Sequence, residues 1–307
     1  MTNEITFQEV AKSWMEEKRL LVKRSTFCNY QLIVRTHLLP AFANYTTIGE
    51  NEAQRFALDK ISSGLSRKFA HDIVAVLISI MKHGAKRYGK AAPDWKIKYP
   101  TTRERKPLPV LSLSSHRKLL QYLAEKPSPK TIGIMIALCT GMRIGEVCGL
   151  EWENVNLTKR VITVGQTAGR IYDIEKRATE RIITTPKTKS SNREIPIGVA
   201  LYKALRAVSK ESAGKYVVGG RDEATDPRTY REFFSRLLNR LGIQRIVFHG
   251  LRHTFATRCI ESHCDYKTVS AILGHSNIAT TLNLYVHPNL EQKKKCIERL
   301  GKVLDAL

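Results

Sequence analysis

The stretch TIGIMIALCTGMRIGEVCGL, residues 131–150, places an apolar segment directly before a glycine and a charged turn. Its first half, TIGIMIALCT, is predicted to be helical. Gly141 is predicted to end that helix, because glycine is the commonest residue just after a helix C-terminus. RIGEVCGL then predicts a second, short helix, with Arg143 at its start. An arginine is therefore expected at a helix N-terminus, directly after a glycine turn.

Arg143 has the chemistry of a phosphate ligand. A guanidinium fork can bind two non-bridging oxygens at once, and a helix N-terminus also favours anions. A site that acts on a phosphodiester needs such groups when the phosphorus becomes five-coordinate. The alternative is a local ion pair between Arg143 and Glu146, and the segment alone does not decide between the two.

Two later segments add histidines, a second arginine and a tyrosine. In FHGLRHTFATR, His249 and Arg252 are three residues apart and share one helix face, with His253 as a competing histidine. In LGHSNIATTLNLYVHP, His275 follows a Leu-Gly turn and Tyr285 lies ten residues later. By itself, the first pattern also fits a helix cap with a buried histidine, and the second fits a core tyrosine. A phenol of pKa near 10 becomes a nucleophile only beside stabilising charges.

A basic turn, PKTKSSNREIPI, lies between two strand-like segments. A β-hairpin there could carry Lys187 or Lys189, and a lysine can protonate a leaving alkoxide when neighbouring cations lower its pKa. A solvated basic turn is the alternative interpretation.

Charge is the dominant global property, with a net charge of +23 over 307 residues and a pI near 9.9. Residues 1–110 hold 19 basic and 10 acidic residues, and residues 111–307 hold 32 and 18, so both halves are basic. Such a chain repels itself unless a polyanion binds it. We therefore expect nucleic acid as the partner, with an anionic membrane surface as the less favoured alternative.

Four helices are predicted in the first hundred residues. The first carries Phe7, Val10, Trp14 and Leu20–Leu21 at helical spacing, and Pro40 is expected to interrupt the second. The third begins near Asn51 and the fourth ends at Gly89. Their segments are TFQEVAKSWMEEKRLLV, TFCNYQLIVRTHLLPAF, NEAQRFALDKISS and SRKFAHDIVAVLISIMKHGAKRYG. This half is predicted to be a DNA-clamping module, or else a helical bundle that its charges merely solvate.

After the helical module, the pattern changes twice. The predicted domains are 1–98, helical and DNA-binding; 99–112, a basic linker with prolines; and 113–307, catalytic. In the last of these, RVITVG, RIITTP and REIPIG are strand-like. Helices are expected near 114–126, 199–208, 228–241, 252–262, 266–273, 279–285 and the C-terminus. The predicted fold class is mainly α with a small β-sheet.

The six cysteines form no C-x-x-C, and Cys259, His263 and Cys264 fit no standard zinc spacing. We expect reduced thiols, no metal and no cofactor. No signal peptide and no apolar run long enough for a membrane span is visible, which predicts a cytoplasmic protein.

Taken in order, these segments resemble the tyrosine recombinase (phage-type integrase) family of site-specific DNA recombinases. The matching stretches are TGMRIGEVCGLEWENV, TKSSNREIPI, HGLRHTFAT and LGHSNIATTLNLYVHP. The 23 residues from Arg252 to His275, and the ten from there to Tyr285, are typical of the family. The basic helical half is similar to its core-binding, SAM-like domain, so the resemblance covers nearly the whole chain.

The resemblance implies a mechanism and a role for each matching residue. Tyr285 would attack the scissile phosphate and form a 3′-phosphotyrosyl link, without ATP or metal. Lys187, or alternatively Lys189, would protonate the leaving 5′-oxygen. The catalytic set is Arg143, Lys187, His249, Arg252, His275 and Tyr285, with Glu146 in support.

The resemblance also implies partners. These are duplex DNA with inverted-repeat core sites, three further copies of the chain in a synaptic tetramer and, in some relatives, an accessory directionality factor; a monomer off DNA is compatible. The expected location is the bacterial cytoplasm, on the nucleoid when bound to DNA. The apolar stripe Ile297, Leu300, Leu304 and Leu307 would dock on a neighbouring protomer or pack on its own domain.

One departure from the family concerns the N-terminus. The chain opens almost directly at ITFQEVAKSW, so we expect no arm-binding domain of the kind that many phage integrases carry. Integration, excision or inversion of a mobile element or phage all remain compatible. The alternatives are chromosome or plasmid dimer resolution and type IB topoisomerase-like relaxation.

Overall fold

The structure, a computed structural model, describes residues 5–89, 92–101, 110–185 and 192–275, and single positions at 277, 294, 297, 298 and 301. The chain divides into two compact units. The first comprises Met1–Lys106 with Arg170–Glu180, and the second comprises Pro107–Gly169 with Arg181–Leu307. The predicted fold class, mainly α with small sheets, is confirmed. The predicted domain limits stay a prediction.

The first unit is helical up to Gly89. Its helix α1 begins after Thr6, whose backbone amide donates to the Glu9 carboxylate at 2.8 Å in a capping box. Its longest helix ends at Gly89, in the left-handed conformation with φ +64°, as the sequence predicts. The elements are α1 (Phe7–Leu21), α2 (Arg24–Ile33), a π-helical turn (Val34–Leu38), α3 (Leu39–Phe42), α4 (Glu50–Ser62) and α5 (Arg67–Tyr88).

The core of this unit is built by one face of each helix. Trp14 is fully buried, and its indole N–H donates to Ser79 at 3.1 Å. Gly84 lets α5 approach α1, because a Cβ there would lie 2.8 Å from Val10. Leu20 and Leu21 belong to the predicted helix but not to this core, since Leu20 is 86% and Leu21 67% exposed.

Pro40 does not interrupt the second predicted helix. The chain stays helical from Arg24 to Phe42, and the Leu39 amide donates to Val34, five residues back. This wider π turn lies directly before the proline, which then occupies the first turn of α3. A helix tolerates proline there, because the first-turn amides need no partner within the helix.

The second unit combines helices with short strands. Its helices are α6 (Leu113–Glu125), α7 (Ile132–Thr140), α8 (Ile144–Cys148), α9 (Val199–Glu211), α10 (Pro227–Arg240), α11 (His249–Glu261) and α12 (Tyr266–Leu273). A 3₁₀ turn covers Trp152–Asn154. Its strands are β1 (Val155–Asn156), β2 (Val161–Val164) and β5 (Arg193–Pro196). Strands β3 (Thr167–Asp173) and β4 (Ala178–Thr184) are divided between the two units, because Arg170–Glu180 is counted with the first.

Two small sheets are present in the described residues. Strands β1, β2 and β5 form an antiparallel sheet, in which Ile162 pairs with Ile195 and Val164 with Arg193. Strands β3 and β4 form the other sheet. The sequence predicted β2, β4 and β5 but not β3, whose segment TAGRIYD contains a glycine and alternates weakly.

Helix α7 is the centre of the second unit. It is buried along almost its whole length, as its apolar sequence requires, and α6, α8, α9 and α11 pack against it. Helix α12 packs against α11 and β5. This arrangement brings the end of α7, the start of α8, the first turns of α11 and the end of α12 to one place. None of the helices in the described part of the chain has the length and apolar character needed to cross a bilayer.

Candidate active site

Arg143 occupies the N-cap of α8 and is held there by Glu146. Its backbone amide donates to Oε2 of Glu146 at 2.8 Å, and its Nη1 donates to Oε1 at 2.9 Å. Its Nη2 donates to the carbonyl oxygen of Gly274 at 3.3 Å, just after α12. The local ion pair considered from the sequence is therefore present, but it does not enclose the side chain, which remains 37% exposed.

A second arginine, Arg193, binds the same carboxylate. Its Nη1 and Nη2 lie 3.2 and 3.0 Å from the two oxygens of Glu146, and its Nε donates to the carbonyl of Ile272 at 2.6 Å. Sequence reasoning did not single out this residue. A signal was present: in REIPI, Arg193 falls on the same strand face as Ile195 and Ile197, which are buried.

Glu146 is ionised although it is buried. Burial favours the neutral acid, but the hydrogen bonds and charges of Arg193 and then Arg143 outweigh it and leave the pKa of Glu146 below its ordinary value. Only 4% of Glu146 is exposed, so both of its oxygens depend on these donors. The carboxylate therefore links β5 to α8.

Arg252 lies on the first turn of α11 and is buried. Its Nη1 donates to the carbonyl oxygen of Gly141 at 2.9 Å, at the end of α7. Its Nη2 is buried and makes no hydrogen bond within the described part of the chain. Burial, followed by the charge of Arg143, lowers the pKa of Arg252 to about 9, which still leaves it a cation at neutral pH. A buried donor without a partner is costly, and an anion would supply the missing acceptor.

Three histidines adjoin these arginines. Burial, with the charges of Arg252 and Arg143, lowers the pKa of His275 to about 4 and also lowers the pKa of His249. The ring of His253 lies edge-on to that of His249, with centroids 4.7 Å apart, and burial followed by the charge of His249 lowers its pKa to about 4. These rings are neutral near pH 7 and can accept a proton.

The described part of the site carries a net charge of plus two, because the guanidinium groups of Arg143, Arg193 and Arg252 face one carboxylate, that of Glu146. A phosphodiester carries one negative charge, and a second develops when a nucleophile adds to phosphorus. Such fixed cations stabilise that charge without reorganisation. The arrangement can therefore bind a phosphodiester and stabilise its five-coordinate state.

Five of the residues that the sequence singled out are brought together: Arg143, Glu146, His249, Arg252 and His275. Lys187, Lys189 and Tyr285 lie outside the described residues, as do Leu300, Leu304 and Leu307 of the C-terminal stripe; Ile297 is 68% exposed. Cys259 and Cys264 are free thiols. No group of three or more histidine, cysteine or acidic side chains within the described ranges is arranged to hold a metal ion.

Two protein-family profiles match this chain. The profile described as "Phage integrase family" matches residues 110–292, and "Phage integrase, N-terminal SAM-like domain" matches residues 6–48. The first match alone covers more than half of the chain. This chain belongs to the phage integrase family. The resemblance to tyrosine recombinases found in the sequence is thereby confirmed.

Curated relatives extend this result. A tyrosine recombinase XerC-like protein of Caldanaerobacter subterraneus is 31% identical over 54% of this integrase-family chain and 48% of its own length. The transposase from transposon Tn916 of Enterococcus faecalis is 28% identical over 68% of this chain and 55% of its own length. The ICEBs1 integrase of Bacillus subtilis is 22% identical over 98% of this chain and 84% of its own length. The chain spans about half the length of the first two.

Solved structures support the fold. The Tn1549 transposon integrase in complex with transposon right end DNA matches with a TM-score of 0.74 at 24% identity, covering 97% of this chain and all of that one. A lambda integrase tetramer bound to a Holliday junction matches with a TM-score of 0.64 at 16% identity, covering 92% and 78%. These likenesses show that the chain has the integrase fold.

Proposed function

We propose that this protein is a site-specific DNA recombinase that cleaves and rejoins DNA through a 3′-phosphotyrosyl link to Tyr285. The observation that carries the proposal is a pair of arginines, one partly exposed and one buried, whose guanidinium groups can still donate hydrogen bonds to an anion. Arg143 extends into solvent from a helix N-cap, and Arg252 keeps one buried nitrogen without a partner within the described residues. Around them lie neutral histidines and a net positive charge.

In the proposed reaction, the Tyr285 oxygen attacks phosphorus as its proton passes to a base, for which neutral His249 is suited. Arg143 and Arg252 bind the non-bridging oxygens while charge builds on them. The bond to the 5′-oxygen breaks, and that oxygen takes a proton from Lys187 or Lys189. A 5′-hydroxyl later reverses the step. The covalent link conserves the energy of the phosphodiester, so the proposed reaction requires neither ATP nor metal.

Both the positive charge of the chain and its structural relatives support DNA as the partner. The net charge is +23, and α10 exposes Arg228, Arg231, Arg236 and Arg240. Phosphate contacts of this kind provide affinity and register, whereas sequence is read by other side chains. As relatives of the same fold have been solved on DNA, one as a tetramer on a Holliday junction, we extend the proposal to a tetrameric synapse on inverted-repeat sites in the bacterial cell. A directionality factor would act on that assembly.

Mobile-element movement is favoured over dimer resolution. The relatives named for a transposon and for ICEBs1 match 68% and 98% of the chain, whereas those named XerC-like and XerC match 54% and 60%. Excision, integration and inversion share the same cleavage step.

A topoisomerase would relax supercoils on any sequence as a monomer, while a recombinase requires two paired sites.

The proposal is tested with nicked suicide duplexes that tile the DNA on either side of the gene. The nick lets the cleaved strand diffuse away, so that the covalent adduct accumulates and survives denaturant. Wild-type protein should become attached to one or a few of these duplexes. Tyr285→Phe should bind the same duplexes in a gel-shift assay and never become attached. An adduct with Tyr285→Phe would show that another residue is the nucleophile.

A further inference from the structure

We propose that Arg193 is a positioning residue for the cleavage step: it shares the Glu146 carboxylate so that Arg143 stays directed at the reacting phosphate. This inference rests on the proposed function and adds a residue to its site. Arg193 is not a catalytic residue in this proposal, because its side chain is buried and its three nitrogens are engaged with protein groups.

Both oxygens of the Glu146 carboxylate accept two hydrogen bonds each. Each oxygen accepts one hydrogen bond from Arg143, at 2.9 and 2.8 Å, and one from Arg193, at 3.2 and 3.0 Å. The contact from Arg143 to Oε2 comes from its backbone amide, so only one nitrogen of its guanidinium is committed to Glu146. The other, Nη2, points to the carbonyl of Gly274. Sharing the carboxylate therefore limits how far Arg143 is drawn inward.

Loss of Arg193 should change this balance. A buried carboxylate needs compensating charge, and Arg143 would be the remaining cation bonded to it within the described residues. A guanidinium and a carboxylate prefer a two-pronged contact. Arg143 is thus expected to turn its second nitrogen toward Glu146 and away from the phosphate, which would weaken the charge stabilisation without removing any group that touches substrate.

Arg193 also connects three segments that carry site residues. It begins β5, and one residue separates it in the sequence from residues 186–191, which contain both candidate lysines. Through Glu146 it fixes the N-cap of α8. Through the carbonyl of Ile272 it fixes the last turn of α12, three residues before His275. A lysine could supply the charge but not three donors in a fixed plane.

The first experiment measures adduct formation on the suicide duplex that the wild-type protein cleaves. Arg193→Met should slow the cleavage step roughly 10–100-fold, by analogy with the loss of a residue that orients a metal ligand, with unchanged DNA affinity. Arg193→Lys should recover little. Adding Glu146→Gln to Arg193→Met should restore most of the rate, because a neutral amide no longer draws Arg143 inward. Arg206→Met, on the exposed face of α9, is the matched control.

A second substrate separates positioning from a general structural role. With a methylphosphonate at the scissile position, the reacting group lacks its negative charge and depends less on Arg143. The defects of Arg143→Ala and Arg193→Met should both shrink on this substrate. Equal defects of Arg193→Met on both substrates, or no recovery with Glu146→Gln, would overturn the proposal and leave the recombinase function intact.

A third measurement does not depend on DNA cleavage. Inorganic phosphate binding, followed by ³¹P NMR, should weaken in Arg193→Met and recover in the double variant. If wild-type protein forms no adduct but phosphate binding follows this order, the proposed function fails and the positioning role stands. If phosphate binding is the same in all three proteins, the positioning role fails.

Discussion

Arg252 donates a hydrogen bond to the carbonyl oxygen of Gly141 at 2.9 Å, although 111 positions separate the two residues in the sequence. Gly141 lies two positions before Arg143. Gly141, which ends α7, therefore helps to position both Arg143 and Arg252. It begins the turn that leads to Arg143, and it accepts a hydrogen bond from Arg252. The other glycine stop, Gly274 after α12, similarly accepts from Arg143. Each arginine is held by the C-terminal end of a helix that ends in a left-handed glycine.

Gly141→Ala should strongly destabilise the second unit. The position has φ +68°, and a Cβ would lie 2.5 Å from Leu273 and 2.7 Å from Phe255. Left-handed strain and overpacking together should cost roughly 2–5 kcal/mol. Gly242→Ala is the control, since it has φ +62° but its nearest neighbour is the flexible end of Lys118 at 3.9 Å. It should lose only about 1–2 kcal/mol, measured by calorimetry. Equal losses would show that strain alone matters.

Arg143→Ala and Arg252→Ala should each slow adduct formation by roughly 10²–10³-fold, as expected when one charge-stabilising donor is lost. DNA binding should change little, because many other cations contact the backbone. Single-turnover rates on the suicide duplex and gel-shift affinities measured with the same duplex separate these effects. A parallel loss of affinity and rate would assign the arginines to binding rather than to cleavage.

Sulfate should stabilise the second unit through Arg252. The buried Nη2 gains an acceptor when an oxyanion binds, and a ligand at ten times its Kd adds about 1.4 kcal/mol. The Tm should therefore rise in sulfate relative to chloride at equal ionic strength. Arg252→Met should abolish this difference, whereas the exposed Arg206→Met should retain it. A sulfate effect that survives Arg252→Met would place the anion elsewhere.

Acid should destabilise the second unit between pH about 6.5 and about 4. The pKa values of His253 and His275 lie at about 4 in the folded chain, so over this interval the unfolded chain takes up protons that the folded chain does not. Stability should fall by up to about 1.4 kcal/mol per pH unit for each histidine. His253→Gln and His275→Gln should each flatten the slope in denaturant titrations, with the exposed His71→Gln as control.

The two candidate lysines can be separated chemically. If Lys187 protonates the leaving oxygen, Lys187→Ala should cleave slowly on an ordinary duplex and normally when sulfur replaces the 5′-bridging oxygen, because a thiolate leaves without a proton. Lys189→Ala should then behave like wild type on both substrates. The reverse pattern would assign the role to Lys189, and a defect that persists on the sulfur substrate would exclude acid catalysis by the altered residue.

Much of the helical architecture could be predicted from local signals. The spacing of Phe7, Val10 and Trp14 gave α1, and the glycines at 89 and 141 gave the ends of α5 and α7. The exposure of Leu20 and Leu21 could not be predicted, because it depends on whether another element covers that turn. Strand β3 was missed because its partner, rather than its own sequence, makes it a strand.

The site was predictable for a different reason. Arg143, His249, Arg252 and His275 occur in short patterns whose order resembles a family, and the structure brings them together. Arg193 was missed because its role depends on a pairing between β5 and α8 that no local pattern shows. Its inward-facing position beside Ile195 was the available clue.

The cluster of Arg143, Arg193 and Arg252 around one carboxylate has a consequence for protein engineering. Like charges held close together raise the energy of the empty domain, and neutralising Arg252, whose buried Nη2 has no partner within the described residues, should make the fold more heat-resistant. A screen that selects variants for thermal survival alone should therefore accumulate changes at Arg252 early. Such a screen would need a concurrent selection for DNA cleavage to keep the enzyme working.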